Sequence, residues 1–146
     1  MQDNFQFNFV SDFTEARAAQ EKIIQAVERH GYDADAILSI KLALEEATIN
    51  AIKHGNRFDK GKTVRIDATI SDERVEIFIE DQGPGFIRCS VPDPRADENL
   101  QRLHGRGLLL MEAYMNEVEY SNEGRRIRLL YLKNSPPQRH CKEDKP

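Results

Sequence analysis

Glu46 and Asn50 stand four residues apart in "LALEEATINAIKHG", the stretch from Leu42 to Gly55. On an α-helix that spacing puts the two side chains on one ridge, one turn apart. A side-chain amide offers a neutral oxygen. That suits magnesium, a hard cation that takes few protein oxygens and keeps its waters and phosphate oxygens. A carboxylate one turn earlier can orient an attacking group and take its proton. The plainer reading of the pair is a polar ridge on a solvated helix.

Two further stretches carry possible chemistry. "EDQGPGF" places Asp81-x-Gly83-x-Gly85 directly after a strand pattern. An acidic side chain there can accept a hydrogen bond from an exocyclic amine, and glycines let the backbone approach a flat ligand. The plainer reading is a Gly-Pro turn. "HGRGLLLM" places Gly105 and Gly107 at a helix start, where free N–H groups and the helix dipole attract phosphate. The plainer reading is a hinge. The spacing is not that of a Walker A loop, since no Gly-Lys-Ser/Thr follows, nor of a Rossmann fingerprint, since the strand–turn–helix context is missing.

The elements that must position these groups follow from periodicity. "FQFNFV" alternates Phe5, Phe7 and Phe9 with polar residues, which predicts a half-buried strand used for core or dimer-edge packing. Ser11 or Asp12 caps a helix running to about His30, with Phe13, Ala16, Ile23, Ala26 and Val27 on its apolar face and Gly31 as its stop. A second helix starts at Asp33 or Asp35 and ends near His54-Gly55, with Ile37, Ile40, Leu44, Ala47 and Ala51 as its stripe. Leu42 and Ile49 flank the Glu46–Asn50 ridge, so that second face reads as the wall of a pocket. "TVRIDATI" and "RVEIFIEDQG" form a hairpin. A long loop spans Gln82 to His104, a third helix opens at "GRGLLLMEAYM", and "NEVEYS" and "RRIRLLYL" close the chain as a hairpin around Asn122-Glu123-Gly124. His54, at a helix C-terminus, is placed for a favourable dipole interaction, and His104 borders the glycine pair; neither is assigned a catalytic part.

Composition bounds the function. The chain has 146 residues, 39% apolar and 32% charged, enough for one globular core. A net charge of −4 with no basic stripe argues against nucleic acid. No apolar run reaches membrane-spanning length and the N-terminus lacks a secretory pattern, so a cytoplasmic protein of bacterial type is expected. Cys89 and Cys141 suggest neither a disulfide framework nor a metal site. One domain is expected over residues 1–134, followed by a polar, flexible tail over 135–146.

The order of the three signals is specific. A helix with Glu…Asn, a hairpin ending in Asp-x-Gly-x-Gly, a long loop, then Gly-x-Gly-Leu at a helix start resembles the GHKL (Bergerat-fold) ATPase superfamily over about residues 5 to 134. Within it the chain looks most similar to stand-alone anti-sigma factor serine/threonine kinases. "ALEEATINAIKHGN" resembles their N-box, "EDQGPGF" their first glycine box and "GRGLLLMEAYMNEVEY" their second. Asn116 stands where many relatives carry Asp, at a loop or strand-start position with little expected effect on chemistry.

The resemblance implies an α/β (α+β) two-layer sandwich: a mixed, mostly antiparallel sheet with helices on one face and ATP between the helices and the long loop. It implies Asn50 on Mg²⁺, Glu46 as general base, Asp81 on the adenine amino group, and Gly83 and Gly85 beneath the nucleotide. Gly105, Gly107 and Leu108 would shape the phosphate end, and Arg102 or Arg106 would offset γ-phosphate charge. The implied reaction moves the γ-phosphoryl of ATP to a serine of an anti-sigma-factor antagonist. The implied partners are that antagonist, a sigma factor and a second copy of the chain. The alternative is an ATP-gated regulator that binds its partner without phosphorylating it; the blandest is an α/β interaction domain with degenerate boxes.

Overall fold

Alternation at the start of the chain folds as an edge strand, β1 (Gln2–Val10), with Phe9 buried and Phe5 and Phe7 half-buried on one face. The computed structural model describes residues 2–85 and 106–137, with Arg106 described in its backbone only. β1 is joined by β2 (Thr63–Ser71), β3 (Arg74–Glu80), β4 (Glu117–Ser121) and β5 (Arg126–Leu132) in a five-stranded sheet of order β1-β2-β3-β5-β4. Every pairing among the described residues is antiparallel, where the expectation allowed a mixed sheet.

The register lines apolar residues into rows on one face. Phe7, Ile66, Ile79, Ile127 and Tyr120 form one row; Phe5, Ala68, Ile77, Leu129 and Val118 form the next. Period-2 alternation turns the intervening residues outward. On that reverse face Arg128 pairs with Glu76 at 2.5 Å, Glu117 at 2.8 Å and Glu119 at 3.4 Å.

The helices bury their small and branched residues against the apolar rows. α1 (Phe13–Arg29) starts where the Asp12 carboxylate accepts from Thr14 N–H at 2.7 Å, and contributes Ala16, Ala19, Ile23, Ala26 and Val27 to the core. Phe13, expected on that apolar face, is instead 39% exposed: as the first helical residue it overhangs the core and meets Phe58 edge-on at 5.5 Å. The ring of His30, just past α1, lies between Asp72 (2.6 Å) and Asp3 (2.8 Å). α2 (Ala34–Ile49) is capped by Asp33, whose side chain accepts from Ala36 N–H at 2.8 Å. Its Ile40, Ala43, Leu44 and Ala47 are buried, while Ile37 packs half-buried on the core. α3 (Arg106–Tyr114) anchors Met111 in the same core.

Two details bear on the chain's end. The Asn116 side chain accepts from Leu132 N–H at 2.7 Å and donates to the Ser135 carbonyl at 2.6 Å. Residue 116 precedes β4 as expected, and its amide uses a donor that an aspartate lacks. Ser135, assigned to the tail, is thereby held against the domain; residues 138–146, with Cys141, lie outside the described residues, as does Cys89.

Candidate functional site

The topology brings three chain segments to one place. Because β3 pairs with β5, the end of β3 lies beside the β4–β5 turn, and the last turn of α2 packs over both. Between them is a cavity of about 150 Å³ whose walls include Asn50, Ala51, His54, Asp81, Gly85 and Arg125. An apolar cavity of about 150 Å³ admits a ring the size of benzene. This one adds polar groups to its apolar wall, the composition expected of a small-molecule site.

α2 ends by widening. Residues Asn50–Gly55 form a single π-helical segment, a local expansion frequent at functional sites. Of the Glu46–Asn50 face expected to form a pocket wall, Asn50 lines the cavity together with Ala47 and Ala51, while Glu46 and the flanking Leu42 and Ile49 do not. The alanines belong to the core stripe, and their small side chains leave the space open. Ile49 is 38% exposed. Nδ2 of Asn50 is buried without a hydrogen-bond partner. A buried amide left unmatched costs free energy, about 1–3 kcal/mol, so a ligand acceptor there recovers it.

Asp81 closes the cavity from the sheet side. Its carboxylate is buried and accepts from Gly83 N–H at 2.8 Å. Burial pushes its pKa up to about 6, against the opposing pull of that N–H and of Arg125. Gly55 lies so close that a Cβ there would collide with the Asp81 carboxylate, and a Cβ on Gly83 would collide with the Gly55 carbonyl. Gly85 has φ +77°, and a Cβ on it would sit 2.6 Å from the Glu123 carbonyl. A side chain at that φ is strained even before the collision.

Glu46 is one turn up α2, half-buried, and not in the cavity lining. It meets the start of α3: a Cβ on Gly107 would lie 3.1 Å from the Glu46 Cδ and closer still to its Oε2. Leu108, on α3, is half-buried outside the lining. The structure therefore brings Asn50, Asp81 and Gly85 into one cavity, seats Gly83 under Gly55, and sets Glu46 against Gly107. Arg102, Gly105, His104 and the Arg106 side chain lie outside the described residues.

Several site residues escaped the sequence reading. Gly55, expected only at the end of the second helix, is a packing partner of Asp81 and Gly83. His54 lines the cavity, and burial, then Lys53, lowers its pKa, which disfavours the charge that a dipole role would need. Asn56 is buried and holds Ser11, Thr63 and Gln82 N–H together. Arg125 had no motif to announce it; its position opposite the Asp81 loop depends on strand order.

Magnesium and a nucleotide fit what is present. Among the described residues no group of three or more His, Cys, Asp or Glu could hold a metal by itself. Magnesium here would depend on one amide oxygen, Asn50, plus phosphate oxygens and water, its usual way of binding beside a nucleotide. The orphaned Asn50 Nδ2 in the cavity wall agrees with a ligand entering at that point.

Comparison with known proteins agrees with this geometry. Serine-protein kinase RsbW of Bacillus subtilis (strain 168) is 32% identical over 102 residues, 64% of this chain and 62% of the relative. RsbW of Listeria monocytogenes is 28% identical over 103 residues, 66% of each chain. Anti-sigma F factor of Clostridium perfringens (strain SM101 / Type A) is 32% identical over 103 residues, 68% of this chain and 73% of the relative. The matched region spans less than two thirds of the two RsbW proteins. Residues 9–131 match the histidine kinase-like ATPase domain, most of the length of the chain, and the chain belongs to that family.

Proposed function

We propose that the chain is an ATP-dependent protein-serine kinase of the anti-sigma type, acting on a serine of an anti-sigma-factor antagonist and sequestering a sigma factor. The observation that carries the reading is the unpartnered amide of Asn50 in the cavity wall, with Asp81 across from it and Glu46 one turn beyond. The names of the relatives, a serine-protein kinase and an anti-sigma factor, point the same way.

In this reading the base of ATP enters between α2 and the Asp81–Gly85 loop, its exocyclic amine donating to Asp81. Asn50 would hold magnesium through its Oδ1, and the ion, when bound, would neutralise phosphate charge. The α3 start, with Gly105, Gly107 and Leu108, takes the phosphates, and Arg102 or Arg106 offsets the γ-phosphate. Glu46 orients the serine hydroxyl and accepts its proton as the serine oxygen bonds to the γ-phosphorus and ADP leaves with the bridging electron pair. Such transfer rests on positioning and charge, so few reactive side chains suffice. The added phosphate brings roughly −1.5 to −2 charges to the antagonist, enough to disrupt a packed interface. The protein works in the cytoplasm as a homodimer, with no role for nucleic acid or membrane. No described helix is long and apolar enough to cross one.

The test is transfer of labelled phosphate from ATP to candidate antagonists. Glu46→Ala should abolish most labelling while leaving nucleotide binding intact, whereas Asn50→Ala should weaken Mg-ATP binding itself. Tight ATP binding with no labelling of any antagonist would favour a nucleotide-gated regulator over a kinase.

A further inference from the structure

The Arg125 side chain bonds to both sides of the site. Its Nε donates to the Gly83 carbonyl at 2.7 Å and its Nη2 to the Pro84 carbonyl at 3.0 Å. Its Nη1 donates to Glu123 Oε1 at 2.8 Å and to the Asn122 carbonyl at 3.3 Å. Its own carbonyl accepts from Asp81 N–H at 2.9 Å. One side chain thus ties the Asp81–Gly85 loop to the tip of the β4–β5 hairpin.

That tip is costly to hold. Asn122 and Glu123 both adopt left-handed backbone, at φ 52° and 58°, ahead of Gly124 at φ 87°. Asparagine visits that region readily, but a residue such as Glu123 persists there only when its surroundings hold it, and such positions concentrate at functional sites. Asn122 is fixed further by donating to Glu80 Oε2 at 2.7 Å. The strained tip is what Gly85 packs against, since the Glu123 carbonyl occupies the space of a side chain on Gly85. Arg125 itself forms part of the cavity wall.

We propose that Arg125 is a positioning residue for the base end of the ligand: its planar fork locks the Gly83–Gly85 backbone to the hairpin tip and so sets the cavity's shape. The proposal rests on the nucleotide reading of the site and deepens it. A guanidinium suits the task because its donors diverge in a fixed plane, reaching two carbonyls on one side and the hairpin tip on the other. An ammonium of the same charge cannot span both.

The experiment compares the parent protein with Arg125→Ala and Arg125→Lys, using adenosine, ADP and magnesium tripolyphosphate as calorimetric probes. Arg125→Ala should weaken adenosine and ADP by one common factor, about tenfold or more, the size expected for lost hydrogen bonds from a charged group, and leave tripolyphosphate within twofold. Arg125→Lys should recover little of the loss. Amide exchange of the unliganded protein should quicken at Gln82, Gly83 and Gly85 in both variants and stay unchanged in β2. If Arg125→Ala does not fold, Arg125→Lys carries the same comparison. Full recovery in Arg125→Lys would overturn the proposal, as would adenosine affinity within twofold of the parent in either variant or an equal loss for tripolyphosphate. A parent protein that binds none of the three probes overturns the nucleotide reading and this proposal with it; a parent that binds alongside an unaffected variant overturns the role of Arg125 alone.

Discussion

The carbonyl of Gly55, at the end of α2, fills the space that a side chain on Gly83 would need. Two elements far apart in sequence therefore meet backbone to backbone, and Asp81 sits beside their contact. The obstruction is main chain, so no rotamer change relieves it. Gly83→Ala should cost about 1–3 kcal/mol of stability, the range for overpacking a tight contact, read from urea unfolding. The same substitution should weaken adenosine binding, because the loop can accept a methyl only by moving away from α2. A variant with parental stability and parental affinity would show that the contact is loose in solution.

Asp81 links ligand binding to pH. Its pKa is raised to about 6, chiefly by burial. For a carboxylate raised above its ordinary 3.8, the cost of burying the charge is fully present above pH 6 and is relieved as pH falls towards 4. An amine donor meets a stronger acceptor in the charged form, which has no O–H of its own. Adenosine affinity should therefore drop as pH falls through 6, by at most about tenfold for each unit below it, the limiting slope for one proton. Calorimetry between pH 5 and 8 measures the slope, and Asp81→Asn should flatten it. A parent profile as flat as that of Asp81→Asn would remove Asp81 from the recognition of the base.

What could be read from residue order and what could not divide along physical lines. β1, β2, β3 and both capped helices announce themselves through short-range periodicity and side chains that cap their own backbone, as Asp12 and Asp33 do. The Glu46–Asn50 ridge and the Asp81 turn were legible for the same reason: each is a local pattern. Gly55, Asn56 and Arg125 matter through contacts with segments 26 or more residues away. Arg125 owes its role to β3 pairing with β5, Gly55 and Asn56 owe theirs to the segment after α2 packing on the loop after β3, and no local spacing encodes either. Ala47 and Ala51 show the remaining difficulty. An alanine on an apolar stripe has the same pattern whether it fills a core or leaves a cavity.

His30 makes the fold itself sensitive to pH. Both ring nitrogens face carboxylates, Asp72 and Asp3, so both bonds are made in full only by the protonated ring. The hydrogen bond to Asp72, then that to Asp3, raise the His30 pKa above 6.5, while His30 lowers both aspartates below 3.8. The histidine contribution is complete below pH 6.5 and disappears as pH rises through the raised value. The aspartate contribution is complete above pH 3.8 and disappears as pH falls. Arg29 beside Asp3 and Lys133, which donates to the His30 carbonyl at 2.6 Å, complete the charged surroundings. The stability lost in His30→Gln should be greatest between about pH 4.5 and 6 and should shrink by pH 9, read from urea unfolding across that range. A loss independent of pH would mean that the ring acts by packing alone.

Asn56 should be the most sensitive polar residue outside the cavity lining. Its Nδ2 donates to Ser11 Oγ at 3.0 Å and to the Thr63 carbonyl at 2.9 Å, and its Oδ1 accepts from Gln82 N–H at 2.7 Å. With 1% of its surface exposed, it makes those bonds without competition from bulk water. Asn56→Ala removes three hydrogen bonds, though Ser11 Oγ keeps its bond to the Lys62 carbonyl, and should cost about 2–4 kcal/mol, given about 1–3 for each buried group left unmatched and partial relaxation. Asn56→Asp keeps the acceptor for Gln82 but loses both donors and buries a charge, so it should be at least as destabilising. Because Gln82 N–H begins the loop that carries Gly83 and Gly85, Asn56→Ala should also weaken adenosine binding in the fraction that remains folded. Measuring unfolding and adenosine affinity on the same variants separates the two effects: a stability loss with parental affinity would place Asn56 in the framework alone, uncoupled from the loop it touches.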